Sequence, residues 1–313
     1  MVDIELVPLR STSLTPGLRP IPHRGNRFPP PKRRYSVTGD ILSYRRCKRQ
    51  YGFFARRGYV SAQSGQLFFG TVIHQTLDKA HAHYRGEIEG TEPGTIPTEE
   101  DIKRYFEKAA GALEAQGIRR MSDDSRDKAL AYVQEFNRTF GPQVYPRIID
   151  TEHRLQKDKG SYILHGIVDV VAQPEGTAGW QNYEIWDYKG AKRPKQTAEG
   201  RRDLENYEFQ MRVYAHLYEL RNGVRPQRAI LWFLGEPRPE HQQHPVVLSD
   251  AGISTAVEAF ERTVQAIEES IRADDWSSVS VKEAPAIETC NACDLRWNCG
   301  ARHGKYDLKT RVL

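Results

Sequence analysis

Cysteine is scarce in this chain, long apolar runs are missing, and no surplus of charge exists beyond its first few dozen residues. Each absence excludes something. Four cysteines in 313 residues are too few for a disulfide scaffold, and the Cys290-x2-Cys293 spacing favours metal over disulfide. No stretch approaches the roughly 18 consecutive apolar residues of a membrane helix. The N-terminus lacks the apolar core of a secretory signal, so the expectation is a cytoplasmic protein. The formal charge of +5 misleads. Residues 1–34 hold seven basic side chains (Arg10, Arg19, Arg24, Arg27, Lys32, Arg33, Arg34) against Asp3 and Glu5, which accounts for all of it. The remainder is formally neutral, so attraction to a polyanion must come from local clusters and not from a global field. No internal repeat is visible.

What is present suits a soluble globular protein, with 38% hydrophobic and 28% charged residues and enough length for one large domain or two small ones. Residues 1–34, ending in Pro29-Pro30-Pro31, read as a disordered basic arm, either a solvated tail or an accessory contact for DNA or a partner. Order is expected from about Ser36. Residues 38–57 read as a helix with Ile41, Leu42, Tyr44, Tyr51, Phe53 and Phe54 available for burial and Arg45, Arg46, Lys48, Arg49, Arg56 and Arg57 clustered on it. A second helix is expected at 69–84, and amphipathic stretches cover about 98–116 and 124–140. Short β-rich segments follow at 148–157, 161–173 and 182–189. After a helix at 203–221 come strands at 229–234 and 245–248 and a helix at 250–272. This order predicts a mixed α/β (α+β) domain with one central sheet flanked by helices.

The chemistry-bearing residues are few. Asp-x-Lys occurs three times, at Asp101, Asp187 and Asp307, but only Asp187-Tyr188-Lys189 ends a strand that reads as buried. Alternation puts Asp187 and Lys189 on one face and Tyr188 on the other; alone, the pair is also compatible with a simple salt bridge. Asp169 closes His165-Gly166-Ile167-Val168-Asp169 on the preceding strand, where antiparallel pairing would bring two carboxylates together. Like charges that close repel unless a cation or proton intervenes, and such oxygen ligands suit Mg²⁺ or Mn²⁺. His74, in Gly70-x3-His74, would add an imidazole, although a lone helical histidine is also compatible with a structural role. His81 and His83 lack comparable context. Glu152 lies on a strand that would flank this place. Gln210 and Tyr214, four apart, share a helix face; they would contact phosphate or hold Lys189, or simply pack. The thiols of Cys47, Cys290, Cys293 and Cys299 join the two ends of the chain if they share a metal, and thiolates suit both zinc and iron–sulfur clusters.

Taken in order, the Arg-rich segment with Cys47, Gly70-x3-His74, Gly166-x2-Asp169, Asp187-x-Lys189, Gln210-x3-Tyr214 and Cys290-x2-Cys293-x5-Cys299 resemble the RecB-type branch of the PD-(D/E)xK nuclease superfamily over about 36–300. The cysteine pattern resembles its iron–sulfur members, including the AddB nuclease domain and the CRISPR-associated RecB-like exonucleases, with stand-alone relatives in phages. Two departures are Lys48, where relatives often carry proline, and the long helical insertion at about 98–140, which leaves a CRISPR role unassigned. The resemblance implies a restriction-endonuclease-like nuclease domain over 35–313, closed by a cysteine segment at about 285–300. It further implies a [4Fe–4S] cluster on Cys47, Cys290, Cys293 and Cys299 that staples the N- and C-terminal parts.

By the same resemblance, His74, Asp169, Asp187 and the Tyr188 carbonyl would hold Mg²⁺ or Mn²⁺. Lys189 would orient water or stabilise the transition state, with Gln210 and Tyr214 beside it. The implied activity is exonucleolytic hydrolysis of single-stranded DNA or DNA ends in recombination, repair or phage DNA processing, in a bacterial or phage-infected cell. A helicase, recombinase or other DNA-processing partner fits this expectation. The competing reading is an iron–sulfur module that binds DNA without cutting, or cuts only when a partner activates it.

Overall fold

Alternation along two short strands decides the architecture. In Glu184–Lys189, Ile185 joins one apolar cluster while Trp186 and Tyr188 join another. In Arg228–Phe233, Ala229, Leu231 and Phe233 join the first and Ile230 and Trp232 the second. Side chains two apart share a face, so both strands are buried on both sides and helices must cover each. A computed structural model describes residues 31–56, 58, 65–176, 183–277, 289–290, 293–296 and 299.

Within residues 33–313 the elements run β1 (Arg33–Tyr35), α1 (Ser43–Arg46), α2 (Lys48–Tyr51), α3 (Gly65–Tyr84), α4 (Glu99–Ala115), α5 (Asp123–Val144), β2 (Ile148–Asp158), β3 (Tyr162–Ala172), β4 (Glu184–Lys189), α6 (Ala198–Asn222), β5 (Arg228–Phe233), β6 (Gln243–Val246) and α7 (Asp250–Ala273). The mixed sheet has the order β1-β3-β4-β5-β6, with β2 also paired to β3. β4 and β5 run parallel, so a crossover must join them, and α6 supplies it. On one face Met211, Val213 and Leu217 of α6 pack with Ile253, Phe260 and Ile267 of α7. On the other, Val72, Ile73 and Leu77 of α3 meet Phe106 of α4 and Phe136 of α5. The result is the mixed α/β sheet between helical layers that the element order predicts. Among the described residues no helix is long and apolar enough to cross a membrane.

Two expectations need correction. Arg33 and Arg34 do not belong to an arm: they pair in parallel with Tyr162 and Ile163 of β3, which moves the start of the folded unit forward to Arg33. Residues 1–30 lie outside the described residues. The segment 38–57 is not one helix either. It is a series of tight turns, π-helical at Val37–Leu42 and Gly52–Arg56 and α-helical between, with Cys47 extended (φ −161°, ψ 104°) at the break. Tertiary contacts override the helical pattern here: Tyr44 bonds Ser270 (2.9 Å), Arg45 donates to Thr263 (2.9 Å) and Lys48 pairs with Asp275 (2.8 Å), fixing the turns along α7 and the residues after it. The stretch at 98–140 does form two helices, each opened by a capping box (Thr98 with Asp101, Ser122 with Ser125).

Candidate active site

The site forms where β3 and β4 part. The two strands pair through Val170↔Trp186, Val171↔Ile185 and Ala172↔Glu184, and the next step of that register sets Asp169 opposite Asp187. There the Tyr188 N–H donates to the Asp169 carboxylate (2.7 Å). Lys189, on the same face as Asp187, places Nζ 2.6 Å from Asp187 Oδ2 and 3.3 Å from Gln210 Oε1. The Gln210 amide donates to Asp187 Oδ1 at 3.0 Å. One buried glutamine of α6 therefore reads both members of Asp-x-Lys with opposite ends of its amide. Tyr214, one turn on, accepts from Gln210 and from the Ile167 N–H. Its ring fills the space over Gly166, where an added Cβ would lie 2.6 Å from Tyr214 Cε1. The Gly-x2-Asp and Gln-x3-Tyr patterns thus describe two sides of one contact.

His74 enters from α3 on the other layer. Its Nε2 lies 2.8 Å from the Tyr188 carbonyl and its Nδ1 3.4 Å from Asp169 Oδ2. The Tyr188 carbonyl, expected as a metal ligand, is therefore engaged by His74. Glu152 of β2 was not in the expected ligand set, yet His74, Glu152 and Asp169 bring one ligand atom each within 4.8 Å of one another. The β2–β3 register, with Thr151↔Val170 and His153↔Val168, carries Glu152 across from Asp169. Its φ of +49° lies in the left-handed region that few non-glycine residues occupy.

The electrostatics are those of crowded charge. Burial alone would push the His74 imidazole down, but Asp169, with help from Asp187, lifts it to about 9. Burial works to raise Asp169 as well; His74, the Tyr188 N–H and Lys189 outweigh it and hold the carboxyl below its usual range. Burial, with repulsion from Asp169, pushes Asp187 up despite Lys189. Burial also opposes the Lys189 charge, and Asp187 more than restores it. Asp187 Oδ2 is buried without a hydrogen bond. Its one close polar contact among the described residues is the Lys189 ammonium at 2.6 Å, an ion pair. The carboxylates of Asp169, Glu152 and Asp187 and the His74 imidazole are donors that fit a hard divalent cation such as Mg²⁺ or Mn²⁺.

The pocket beside these groups is a cleft of about 700 Å³ whose walls include Phe69, Lys128, Tyr132, Lys189, Lys192 and Tyr207 and, among the described residues, no carboxylate. Away from the carboxylates, Cys47 Sγ accepts from the Gln50 N–H (3.5 Å). Burial, together with the neighbouring Cys47 and Cys299, pushes the Cys293 thiol up, and the Gln50 side chain bonds it. Thiols from both ends of the chain therefore share one locality. The backbone N–H of Cys293 donates to the Cys290 carbonyl (3.1 Å), that of Arg296 to the Cys293 carbonyl (3.1 Å) and that of Cys299 to the Arg296 carbonyl (3.4 Å). The donor set fits a thiolate-bound centre.

Residues 37–300 match the family described as the PD-(D/E)XK nuclease superfamily. The chain belongs to the PD-(D/E)XK nuclease superfamily. Among solved structures, that of a "Putative exonuclease" from Eubacterium rectale is similar at a TM-score of 0.52 and 12% identity, over 89% of this chain and 90% of that one. A structure of SSO0001 matches at a TM-score of 0.33 and 12% identity over 83% and 96% of the two chains and supports no argument. Likeness at 12% identity speaks for the fold alone. No curated protein matches this PD-(D/E)XK chain.

Proposed function

We propose that the protein is a divalent-metal-dependent deoxyribonuclease that hydrolyses phosphodiester bonds from DNA ends or in single strands, in recombination, repair or phage DNA processing. The observation that carries this reading is the convergence of His74, Asp169, Asp187 and Lys189 beside a cleft walled by cations and aromatics. His74, Asp169 and Asp187, with Glu152 beside them, would hold Mg²⁺ or Mn²⁺, which when bound acidifies water and offsets charge on the scissile phosphate.

The chain's own side chains do the rest. The bond between His74 Nε2 and the Tyr188 carbonyl fixes the ring so that Nδ1 faces Asp169. Lys189 presents a compact ammonium to the non-bridging oxygens of the phosphate as charge builds there. Gln210 accepts from that ammonium and donates to Asp187, fixing the pair in register, and Tyr214 keeps Gln210 in place. Lys128 and Lys192 extend the positive wall along the backbone of the substrate.

The four cysteines are assigned to a [4Fe–4S] cluster that staples the two ends of the fold. The shared locality of Cys47, Cys293 and Cys299 supports a common centre, and the resemblance of the spacing to iron–sulfur relatives favours the cluster over zinc.

The test is to incubate anaerobically purified protein with linear and circular single-stranded DNA and Mn²⁺ or Mg²⁺, beside Lys189→Ala. Cleavage of the linear form alone, lost in the variant while DNA binding persists, is the expected result. Unchanged cleavage by Lys189→Ala would overturn the site assignment. No cleavage by metal-replete, cluster-loaded protein would replace the enzyme with a binding module or a partner-activated nuclease.

A further inference from the structure

The helices α4 and α5 lie outside the motifs that carry the chemistry, yet α5 reaches the active-site cleft. Lys128 and Tyr132, one turn apart on α5, both line it, and Met121, 63% exposed, stands at the same wall. Tyr132 is half-buried and braced edge-on against Phe69 of α3, with ring centroids 6.0 Å apart and planes at 89°. The Lys128 ammonium lies 5.6 Å from the Tyr132 ring centroid. Lys128 itself is exposed and makes no ion pair among the described residues. In the same lining, the Tyr207 ring sits under Lys189 with Nζ 4.5 Å from its centroid. Gly70 leaves the space between open: a Cβ built there meets no atom within 4 Å.

These observations define what fits. Three lysines and no carboxylate among the described residues of the walls call for a polyanion. Two aromatic rings in the lining, Tyr132 and Tyr207, call for flat, stackable groups, which every base offers regardless of sequence. The volume, about 700 Å³, is that of a small-ligand pocket, and a duplex whose major groove alone is about 12 Å wide cannot enter it intact.

We propose that α5 is the strand-selecting wall of the cleft, with Tyr132 stacking a base and Lys128 contacting a phosphate of a single DNA strand on its way to Lys189. This rests on the nuclease reading of the same site and adds the residues that discriminate single strand from duplex. A half-buried aromatic braced by a second aromatic loses little freedom on stacking, and the lysine beside it has no ion pair among the described residues to give up, only its contact with the Tyr132 ring. The helical insertion is therefore the specificity element of the fold, whereas the sheet carries the chemistry.

The test is fluorescence anisotropy with a labelled single strand and a labelled hairpin duplex of equal length, on the full-length Lys189→Ala protein so that neither is cut. Tyr132→Ala is expected to weaken single-strand binding by about 5- to 150-fold, the range of one lost base–aromatic stack. Tyr132→Phe should stay within about twofold of the parent, since the stacking face remains. Lys128→Gln should reduce the slope of log affinity against log salt by about 0.7, one phosphate contact on a single strand. Duplex affinity should not move with any of the three.

A change of less than about twofold in Tyr132→Ala, or an equal loss for single strand and duplex, would overturn the proposal. Because Lys128 is exposed, its substitution keeps the idea testable even if Tyr132→Ala unfolds. Failure of the nuclease reading has a different signature, namely that wild-type protein cuts neither DNA whatever these affinities are.

Discussion

At the scale of single residues, the catalytic geometry depends on a contact that involves no reacting group. Lys189 and Asp187 are held by Gln210, Gln210 is held by Tyr214, and the Cε1 edge of Tyr214 occupies the place of the missing side chain of Gly166. Both Gln210 and Tyr214 are buried, at 5% exposure each, so neither can swing into solvent to make room. Gly166→Ala is therefore expected to destabilise the protein by about 1–3 kcal/mol, the usual cost of overpacking, and to lower cleavage by displacing Gln210. Urea unfolding and a cleavage assay read the two effects. A double-mutant cycle identifies the cause: in a Tyr214→Ala background the alanine at position 166 should cost far less, because the clashing ring is gone. Equal costs in both backgrounds would mean that the ring is not what Gly166 accommodates.

At the scale of elements, α3 carries two histidines that the fold treats in opposite ways. His74 faces carboxylates and is lifted to about 9, whereas His81, two turns on, is 2% exposed and is pushed down to about 3 by burial first and Arg85 second. His81 stacks on the Tyr188 ring (centroids 6.0 Å, planes at 24°) and meets Tyr145 edge-on, so it joins the back of β4 to α3 as a neutral group. Its folded-state pKa lies below the ordinary value of about 6.5. The unfolded chain therefore binds more protons between pH 6.5 and 3, and the stability that neutral His81 contributes is present above about 6.5 and lost as pH falls. Between pH 6.5 and 5 the loss is about 2 kcal/mol at about 1.36 kcal/mol per unit. His81→Phe should flatten that part of the urea-unfolding profile by about this amount; an unchanged slope would mean that the imidazole is already solvated.

The histidines also show what a sequence discloses. Spacing marked His74, Asp169, Asp187 and Lys189 because local patterns set strand faces and helix turns. Glu152 was only a flanking residue until the β2–β3 register placed it across from Asp169, and no short-range pattern encodes that register. Cys47 read as mid-helix for a similar reason: the contacts that extend its backbone come from residues more than 200 positions away along the chain.

At the scale of the whole molecule, the two ends of the folded unit meet at the cysteines. Cys47 and Cys299 are separated by 252 residues of chain yet sense the same buried thiol of Cys293. The turns around Cys47 are also tied to the C-terminal half by Tyr35 to Glu268 (2.6 Å), Tyr44 to Ser270 (2.9 Å) and Lys48 to Asp275 (2.8 Å). The junction also borders the site, because Arg46, Thr289 and Tyr207 line one cleft and Tyr207 is the ring beneath Lys189. A thiolate-bound centre that closes so long a loop would restrict the unfolded chain by roughly 5 kcal/mol in the chain-entropy model. Cys47→Ser should therefore remove the visible absorption of anaerobically purified protein and lower its melting point by roughly 10 °C. The surface hydrogen bonds that remain are worth only about 1 kcal/mol each and cannot replace it. The fold of the sheet does not pass through the cysteines, so the variant should still bind a single strand at low temperature. Colourless wild-type protein that releases zinc on acid treatment would keep the staple and replace the cluster. Unaltered absorption and melting in Cys47→Ser would remove Cys47 from the centre altogether and leave the two ends joined by the polar contacts alone.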